Sequence, residues 1–327
     1  MGGAVLIIVI AVIAGIVGYW LINTFQKADS GFGGKGNGRG YYIRTGIFFA
    51  FLIFLYGPII VIGVLSFQGP AGSLMFPIKD GGLIWFKDVF NPQYAGDFRL
   101  PFVRSIVLAL IVMVITTLVS FLAGLAFRRG FKGSALVFYV VIISLIAPPF
   151  LISFGLGTGF SFLGLQSQWW SGGLGAHLTW TLPFGVLIMF AIFSRLDFSI
   201  EEAAKDQGAT NWQKLRYVII PIVAPGLLAV ALFGFTLSYD EYSRSYLVTG
   251  SGNTLPVTMV AVRGTAARPS LYAVGTMTTI FSLLIITGTF LGLYLMDKRR
   301  GLFSGGKKVE EGEIYGAKLH GGGQAAK

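Results

Sequence analysis

Runs of about 20 apolar residues, separated by short polar stretches, recur along almost the whole chain, and a run of that length matches the ~30 Å of hydrocarbon a helix must cross. Seven spans are read: Ala4 to Phe25, Ile43 to Phe67, Phe102 to Phe127, Ser134 to Leu156, Leu178 to Phe193, Ile222 to Tyr239, and Leu271 to Met296. The fifth is short, and Tyr246-Leu247-Val248 continues the apolar pattern beyond the sixth. Hydrophobic residues make up 54% of the 327 and charged residues 12%, against about 25% charged in a soluble domain. That composition excludes a disordered chain and argues against an ordinary soluble enzyme. The expected fold class is an all-α membrane protein, six spans forming a core and one additional N-terminal span.

A net charge of +11 in a soluble protein would point to nucleic acid. Here the position of the charges decides. Eighteen of the 25 Lys and Arg fall in one set of alternate connections: Lys27 to Arg44, Arg128 to Lys132, Arg195 to Arg216, and Lys298 to Lys327. Seven fall in the other set, among them Arg99, Arg244 and Arg268. Basic residues accumulate on the cytoplasmic side, so the first set is expected inside, the N-terminus outside and the C-terminus inside. The excess charge is a topology signal, and nucleic acid is not needed to account for it.

The first run lacks the basic leader of a secretory signal, and its apolar stretch is longer than the usual 7–15 residues of one; it reads as a retained anchor over residues 1–26. Residues 27–42 read as a glycine-rich cytoplasmic linker. A transmembrane domain over 43–300 follows, with its most informative loop at 195–221, and 301–327 read as a disordered cytoplasmic tail.

That loop carries two helix starts. Ser199-Ile200-Glu201-Glu202 and Thr210-Asn211-Trp212-Gln213 each fit a capping box. Gly208 between them is free to take the left-handed conformation that ends a helix, and Pro221 and Pro225 stop the second helix or open the next span. The expectation is helix, tight turn, helix. Ala203 and Ala204 keep one side slim, while Trp212 and Tyr217 offer contacts of the kind enriched at interfaces. On physics alone, an amphipathic hairpin resting on the membrane surface fits as well.

Glu202-Ala203-Ala204, Gly208 and Val218-Ile219-Ile220-Pro221, at this spacing, resemble the EAA signature of binding-protein-dependent ABC importer permeases. Val218 and Ile220 stand where that family carries Ile and Leu. The resemblance runs from about Gly40 to Arg300 and leaves the first span outside. Phe235-Thr236-Leu237-Ser238-Tyr239-Asp240-Glu241-Tyr242 and Asn253-Thr254-Leu255-Pro256-Val257 are similar to the spermidine/putrescine branch; branches handling ferric iron, thiamine or sulfate share the fold.

The resemblance implies a multi-pass permease of a bacterial inner membrane that works with a second permease chain, two ATPase subunits and an extracytoplasmic solute-binding protein. Glu202, Ala203, Ala204, Gly208, Trp212 and Pro221 would couple it to the ATPase. ATP and Mg²⁺ would be bound by that partner, leaving this chain without a cofactor or catalytic residues of its own.

Asp240 and Glu241 are the acidic pair near the last two spans, where such groups are expensive and usually functional. One reading has them draw an organic cation along a path, with Tyr239 and Tyr242 adding cation–π contacts of ~0.5–2 kcal/mol each. The other pairs Asp240 with Arg244, four residues on, at the outer interface. A helix starting at Ile222 would put Asp240 about 27 Å along its axis. Pro148-Pro149 is expected to break the fourth span, either lining a cavity or ending the span. Trp169, Trp170 and His177 read as interfacial residues.

Two phosphate-loop patterns fail on context. Gly301 to Lys308 lacks the hydroxyl of a P-loop, and Gly31 to Gly36 matches a dinucleotide fingerprint without a strand–turn–helix unit around it. The chain has no cysteine and only His177 and His320, which argues against a metal site. A secondary transporter working alone would need buried ionisable pairs or inverted repeats, and between Ile106 and Phe193 the sequence offers only Arg128, Arg129, Lys132 and His177, all at span ends; a membrane enzyme would need a clustered catalytic set, and none is visible.

Overall fold

The computed structural model describes residues 39–70, 76–89, 98–265 and 269–300. The expected first span, the linker before Arg39, the tail and both glycine-rich phosphate-loop patterns lie outside them. Among the described residues the regular structure is all helical. Five helices are long and apolar enough to cross a membrane, and a bent pair makes a sixth span if counted as one.

In chain order these are α1 (Arg39–Leu65), a short α2 (Ile84–Asp88), α3 (Arg99–Arg129), α4 (Ser134–Ile146) and α5 (Pro149–Phe162). A π-helical turn, Trp169–Gly173, opens α6 (Leu174–Phe193). The loop helices are α7 (Ser199–Asp206) and α8 (Asn211–Lys214); a second π-helical turn, Leu215–Ile219, joins α8 to α9 (Ile220–Tyr239). Then come α10 (Leu255–Thr265) and α11 (Pro269–Arg300). The chain divides into units over Met1–Ile280 and Phe281–Lys327. The second is described only as a helical run to Arg300, and the architecture below is that of the first.

Helix α3 is its centre. Its buried positions Ser105, Ala109, Val112, Thr116, Ser120 and Gly124 recur at three- and four-residue spacing and are nearly all small. Such a stripe lets neighbouring backbones approach closely in lipid, where packing replaces the hydrophobic drive. Gly124 shows how closely: a Cβ there would lie 2.5 Å from the Phe193 ring of α6. At Gly234 of α9 a Cβ would come within 3.3 Å of the Met113 Cα. Met189, Phe193, Ile219, Val223 and Val230 form the buried cluster between α6 and α9, with Phe121 and Leu125 of α3 against it. Thr116 Oγ1 donates to Thr181 Oγ1 at 3.0 Å across the α3–α6 contact.

The fourth span is broken: α4 and α5 meet at 104°. Ala147 before the proline pair is extended, with ψ 128°, as a residue preceding proline tends to be, and Pro149 occupies the first turn of α5, where its missing N–H costs nothing. The sixth span does not run on through Val248, as the apolar pattern allowed; α9 ends at Tyr239. Tyr246 to Val248 fold as turns whose backbone is satisfied from elsewhere. Leu247 N–H donates to Ser153 Oγ at 3.1 Å, and Ser167 Oγ donates to Val248 O at 2.6 Å. Irregular backbone at the edge of a membrane bundle needs such partners. The Asn253 to Val257 stretch opens α10, with Leu255 N–H donating to the buried Ser105 Oγ at 2.8 Å.

Candidate functional site

Two sites emerge at opposite ends of α9. At its N-terminal end, the loop after α6 is the expected helix–turn–helix. Gly208 has φ +79°, the left-handed conformation that a glycine takes without strain, and it ends the turn after α7. Thr210 caps α8 as its sequence implies: its Oγ1 accepts from Gln213 N–H at 3.3 Å, and Gln213 Oε1 accepts from Thr210 N–H at 2.8 Å.

The first capping box does not form. Ser199 lies inside α7, and Asp197 Oδ1 accepts the Ser199 N–H at 3.0 Å instead. Asp197 brings a full negative charge to the positive end of the helix, which a serine hydroxyl does not. Hydrogen bonds from Ser199 hold its carboxyl below the usual range. Glu202 is thereby left exposed beside the exposed Ala203 and the half-buried Ala204. Trp212 is 63% exposed and Tyr217 69%, the Tyr217 ring lying 5.8 Å from the Arg216 guanidinium, so the face carries large exposed rings. Pro221 starts α9 rather than stopping α8; the π-helical turn before it carries the helix past a residue that has no N–H to donate.

Behind that face lies an ion cluster absent from the sequence reading. Glu201, buried, meets Arg128 Nε of α3 at 3.1 Å through Oε1 and Lys214 Nζ of α8 at 2.9 Å through Oε2. Arg128 Nη1 also donates to Phe193 O and Leu196 O at the end of α6, at 3.1 and 2.6 Å, and its guanidinium lies 4.1 Å from the Phe198 ring centroid. Burial by itself would raise the Glu201 carboxyl. The hydrogen bond from Lys214 and the charges of Lys214, Arg128 and Arg129 outweigh it and hold the group below its ordinary value. Lys214 carried a sequence signal: a lysine near the start of a long helix opposes the helix dipole and calls for a partner.

At the far end of α9, Asp240 and Glu241 separate in role. Glu241 Oε1 accepts Arg244 N–H at 2.8 Å, and its Oε2 lies 3.5 Å from Arg244 Nη1, both residues being buried. The pairing expected between Asp240 and Arg244 is therefore made by Glu241, and Asp240 is exposed. The Arg244 guanidinium stacks on Trp180, 4.6 Å from its ring centroid. Tyr239 is buried, stacked on Phe235 at 5.9 Å, and Tyr242 packs 5.5 Å from Tyr246. The structure thus brings Glu241, Arg244 and Trp180 together and leaves Asp240 and the half-buried Tyr242 at the rim.

His177, read as interfacial, is fully buried and holds this turn to α6. Ser245 Oγ donates to Glu241 O at 2.8 Å, so it accepts from His177 Nε2–H at 2.7 Å; Nδ1 then accepts from Ser238 Oγ at 2.7 Å. A histidine inside an apolar run was the available signal, since such groups in spans are seldom idle.

The bundle combines small-residue helix packing with a two-helix hairpin between its late spans, the class of an all-helical membrane protein. The chain belongs to the family described as binding-protein-dependent transport system inner membrane component, whose model matches residues 117–301; it is an inner-membrane permease of an ABC importer. Among its relatives is the spermidine/putrescine transport system permease protein PotC of Escherichia coli (strain K12), 30% identical over 267 residues, covering 80% of this chain and 97% of that protein. The Mycobacterium tuberculosis (strain CDC 1551 / Oshkosh) trehalose transport system permease protein SugB is 29% identical over 249 residues, covering 71% and 86%. A crystal structure of a bacterial ABC transporter that imports the acidic polysaccharide alginate shares the fold, with a TM-score of 0.54 at 15% identity, covering 79% of this chain and 94% of that one.

Proposed function

We propose that this permease subunit conducts a polyamine-like organic cation, docks an ATPase through the 195–221 hairpin, and receives its solute from an extracytoplasmic binding protein. The hairpin end faces the cytoplasm and the Asp240 end faces outward, in keeping with the basic residues that the sequence places in the hairpin (Arg195, Lys205, Lys214, Arg216) and after α3 (Arg128, Arg129, Lys132). ATP and Mg²⁺ belong to the partner. This chain's part is mechanical and selective: Glu202, Ala203, Ala204, Gly208, Trp212 and Pro221 form or support the docking face, and Asp240 with Tyr242 lines the entrance to the path.

The observation that carries the cation reading is the division within the acidic pair. Glu241 is occupied by Arg244, while Asp240 is an exposed carboxylate with no hydrogen-bonding or ion-pairing partner of its own side chain among the described residues. Such a group, beside aromatic rings that attract cations, suits an ammonium. Glu241 and Tyr239 build the turn that holds it there. PotC is named for spermidine and putrescine, which agrees with this chemistry. The trehalose relative of almost equal identity favours a second reading, in which the same turn serves a neutral solute and Asp240 accepts hydroxyl hydrogen bonds.

Uptake of labelled spermidine, putrescine and trehalose by vesicles holding the reconstituted complex separates the two. Polyamine uptake that falls in Asp240→Asn at equal complex abundance supports the cation. Trehalose uptake without polyamine uptake discards it and leaves the permease assignment standing.

A further inference from the structure

Helix α7, at the tip of the hairpin, is attached to the bundle in an unusual way. Of its eight residues, Glu201 alone is buried. Ala204 is half-buried and the other six residues are exposed, so no apolar side chain of α7 is fully buried. What Glu201 reaches is charge. One carboxylate oxygen meets Arg128 at the end of α3, and the other meets Lys214 at the start of the α8–α9 helix. Arg128 in turn caps the end of α6 through Phe193 O and Leu196 O. A single carboxylate thus joins α7 to the ends of three spans that pack against one another.

A burial of this kind is a poor device for stability. Well-packed apolar groups in its place are often as stable or more so. It is a good device for position: two ion pairs at 3.1 and 2.9 Å hold the carboxylate between two cations set on separate helices, whereas an apolar contact lets a short helix slide or roll. Removing the carboxylate leaves two cations facing each other with nothing between.

We propose that Glu201 is the positioning residue through which movement of α7 is delivered to α3, α6 and α9 as one body. The proposal rests on the reading that an ATPase docks on the hairpin. Exposed Glu202, Ala203 and Trp212 receive the partner; Glu201, one residue before them and facing the other way, transmits the displacement. With the brace intact, α7 and the span ends keep a constant separation as the ATPase closes on nucleotide. Without it, α7 follows the ATPase and the spans lag.

The chain has no cysteine, so paired spin labels are placed cleanly. Lys205→Cys on α7 and Lys132→Cys after α3 are both exposed. The permease is labelled, assembled with its ATPase and partner permease, and the label-to-label distance is read by pulsed electron resonance with and without ATP–Mg²⁺ trapped by vanadate. The expected result is one distance, unchanged by nucleotide, in the otherwise unaltered chain. In Glu201→Gln, and in Arg128→Gln, which breaks only the arm to α3 and leaves Glu201 paired with Lys214, the distance becomes nucleotide-dependent.

A distance that stays constant in Glu201→Gln overturns the proposal, as does one that already varies in the unaltered chain. If Glu201→Gln fails to assemble, Arg128→Gln carries the reading, and its failure to assemble assigns the cluster to folding alone and overturns the proposal too. Failure of the ATPase to copurify with the unaltered chain is a different result; it removes the docking reading itself.

Discussion

Glu241 and Arg244 close on each other twice, through the arginine's backbone N–H at 2.8 Å and its side chain at 3.5 Å, in a turn where both are buried. The double contact makes the turn after α9 a self-contained unit and spends the charge of Glu241 within the protein. Asp240, its immediate neighbour, is left facing outward. Two adjacent carboxylates, alike in sequence, therefore have opposite fates.

Loss of either partner should separate those roles. Arg244→Ala strands the Glu241 carboxylate in a buried setting, a change that costs about 3–5 kcal/mol when a buried pair is broken. The expected outcome is a sharp fall in folded protein, read by size-exclusion chromatography in detergent. Asp240→Asn should leave that profile unchanged and lower only polyamine uptake.

His177 should be energetically coupled to Ser245. His177→Ala removes a hydrogen bond at each of two buried hydroxyls, each loss being worth ~1–3 kcal/mol. Ser245→Ala removes one of the same bonds. The double variant should therefore be less destabilised than the two singles added together, by ~0.5–3 kcal/mol. Thermal unfolding of the four proteins tests this; strict additivity would show that the chain of bonds does not act as a unit.

Gly208→Pro should leave the protein inserted but abolish transport-linked ATP hydrolysis. Proline is held near φ −65°, and residue 208 stands at +79°, so the turn between α7 and α8 must be rebuilt. Glu202→Lys should have the same effect more mildly. Its side chain caps nothing and is exposed, so the loss falls on docking and on a helix-dipole term of ~0.3–1 kcal/mol. ATPase stimulation by loaded binding protein is the measurement, and stimulation equal to the unaltered complex would discard the docking role of the hairpin.

Gly124→Ala should destabilise the bundle although it adds one methyl. That methyl would meet the Phe193 ring at 2.5 and 2.8 Å and the Met189 Cβ at 3.1 Å, and overpacking of a close-packed core costs typically ~1–3 kcal/mol. The same change at Gly155, which has open space around its Cβ position, is the control and should leave thermal stability nearly unchanged.

Acid should release the hairpin. Because the folded Glu201 carboxyl titrates below its ordinary value, its contribution is fully present above the unfolded glutamate value of about 4.3 and is lost as pH falls through the lower, folded value. Proteolysis within 195–210, followed between pH 7 and pH 3, should accelerate only below about pH 4.3. Glu201→Gln should already be cut faster at pH 7 and show less acceleration on acidification.

The positions of the five long apolar helices, the helix–turn–helix, the left-handed Gly208 and the Thr210 cap were all legible in the sequence. Each depends on local composition or on residues three or four apart: apolar run length against bilayer thickness, a hydroxyl and a glutamine at capping distance, a glycine where no side chain is tolerated. The side-chain partners were not legible. Arg128 looked like a topology charge, yet tertiary packing places it against Glu201 and the end of α6, 73 and 65 to 68 residues away in the chain. His177 looked interfacial, and only the crossing of α6 with α9 buries it between Ser238 and Ser245. Asp240, four residues before Arg244, was the acid the sequence offered as its partner; the helix ends at Tyr239, and in the turn that follows Glu241, three residues before Arg244, makes the pair instead. Hydropathy and capping act along one helix, where the sequence is the geometry. The fate of a charge depends on which groups other helices bring within about 4 Å, and that is settled only once the spans have packed.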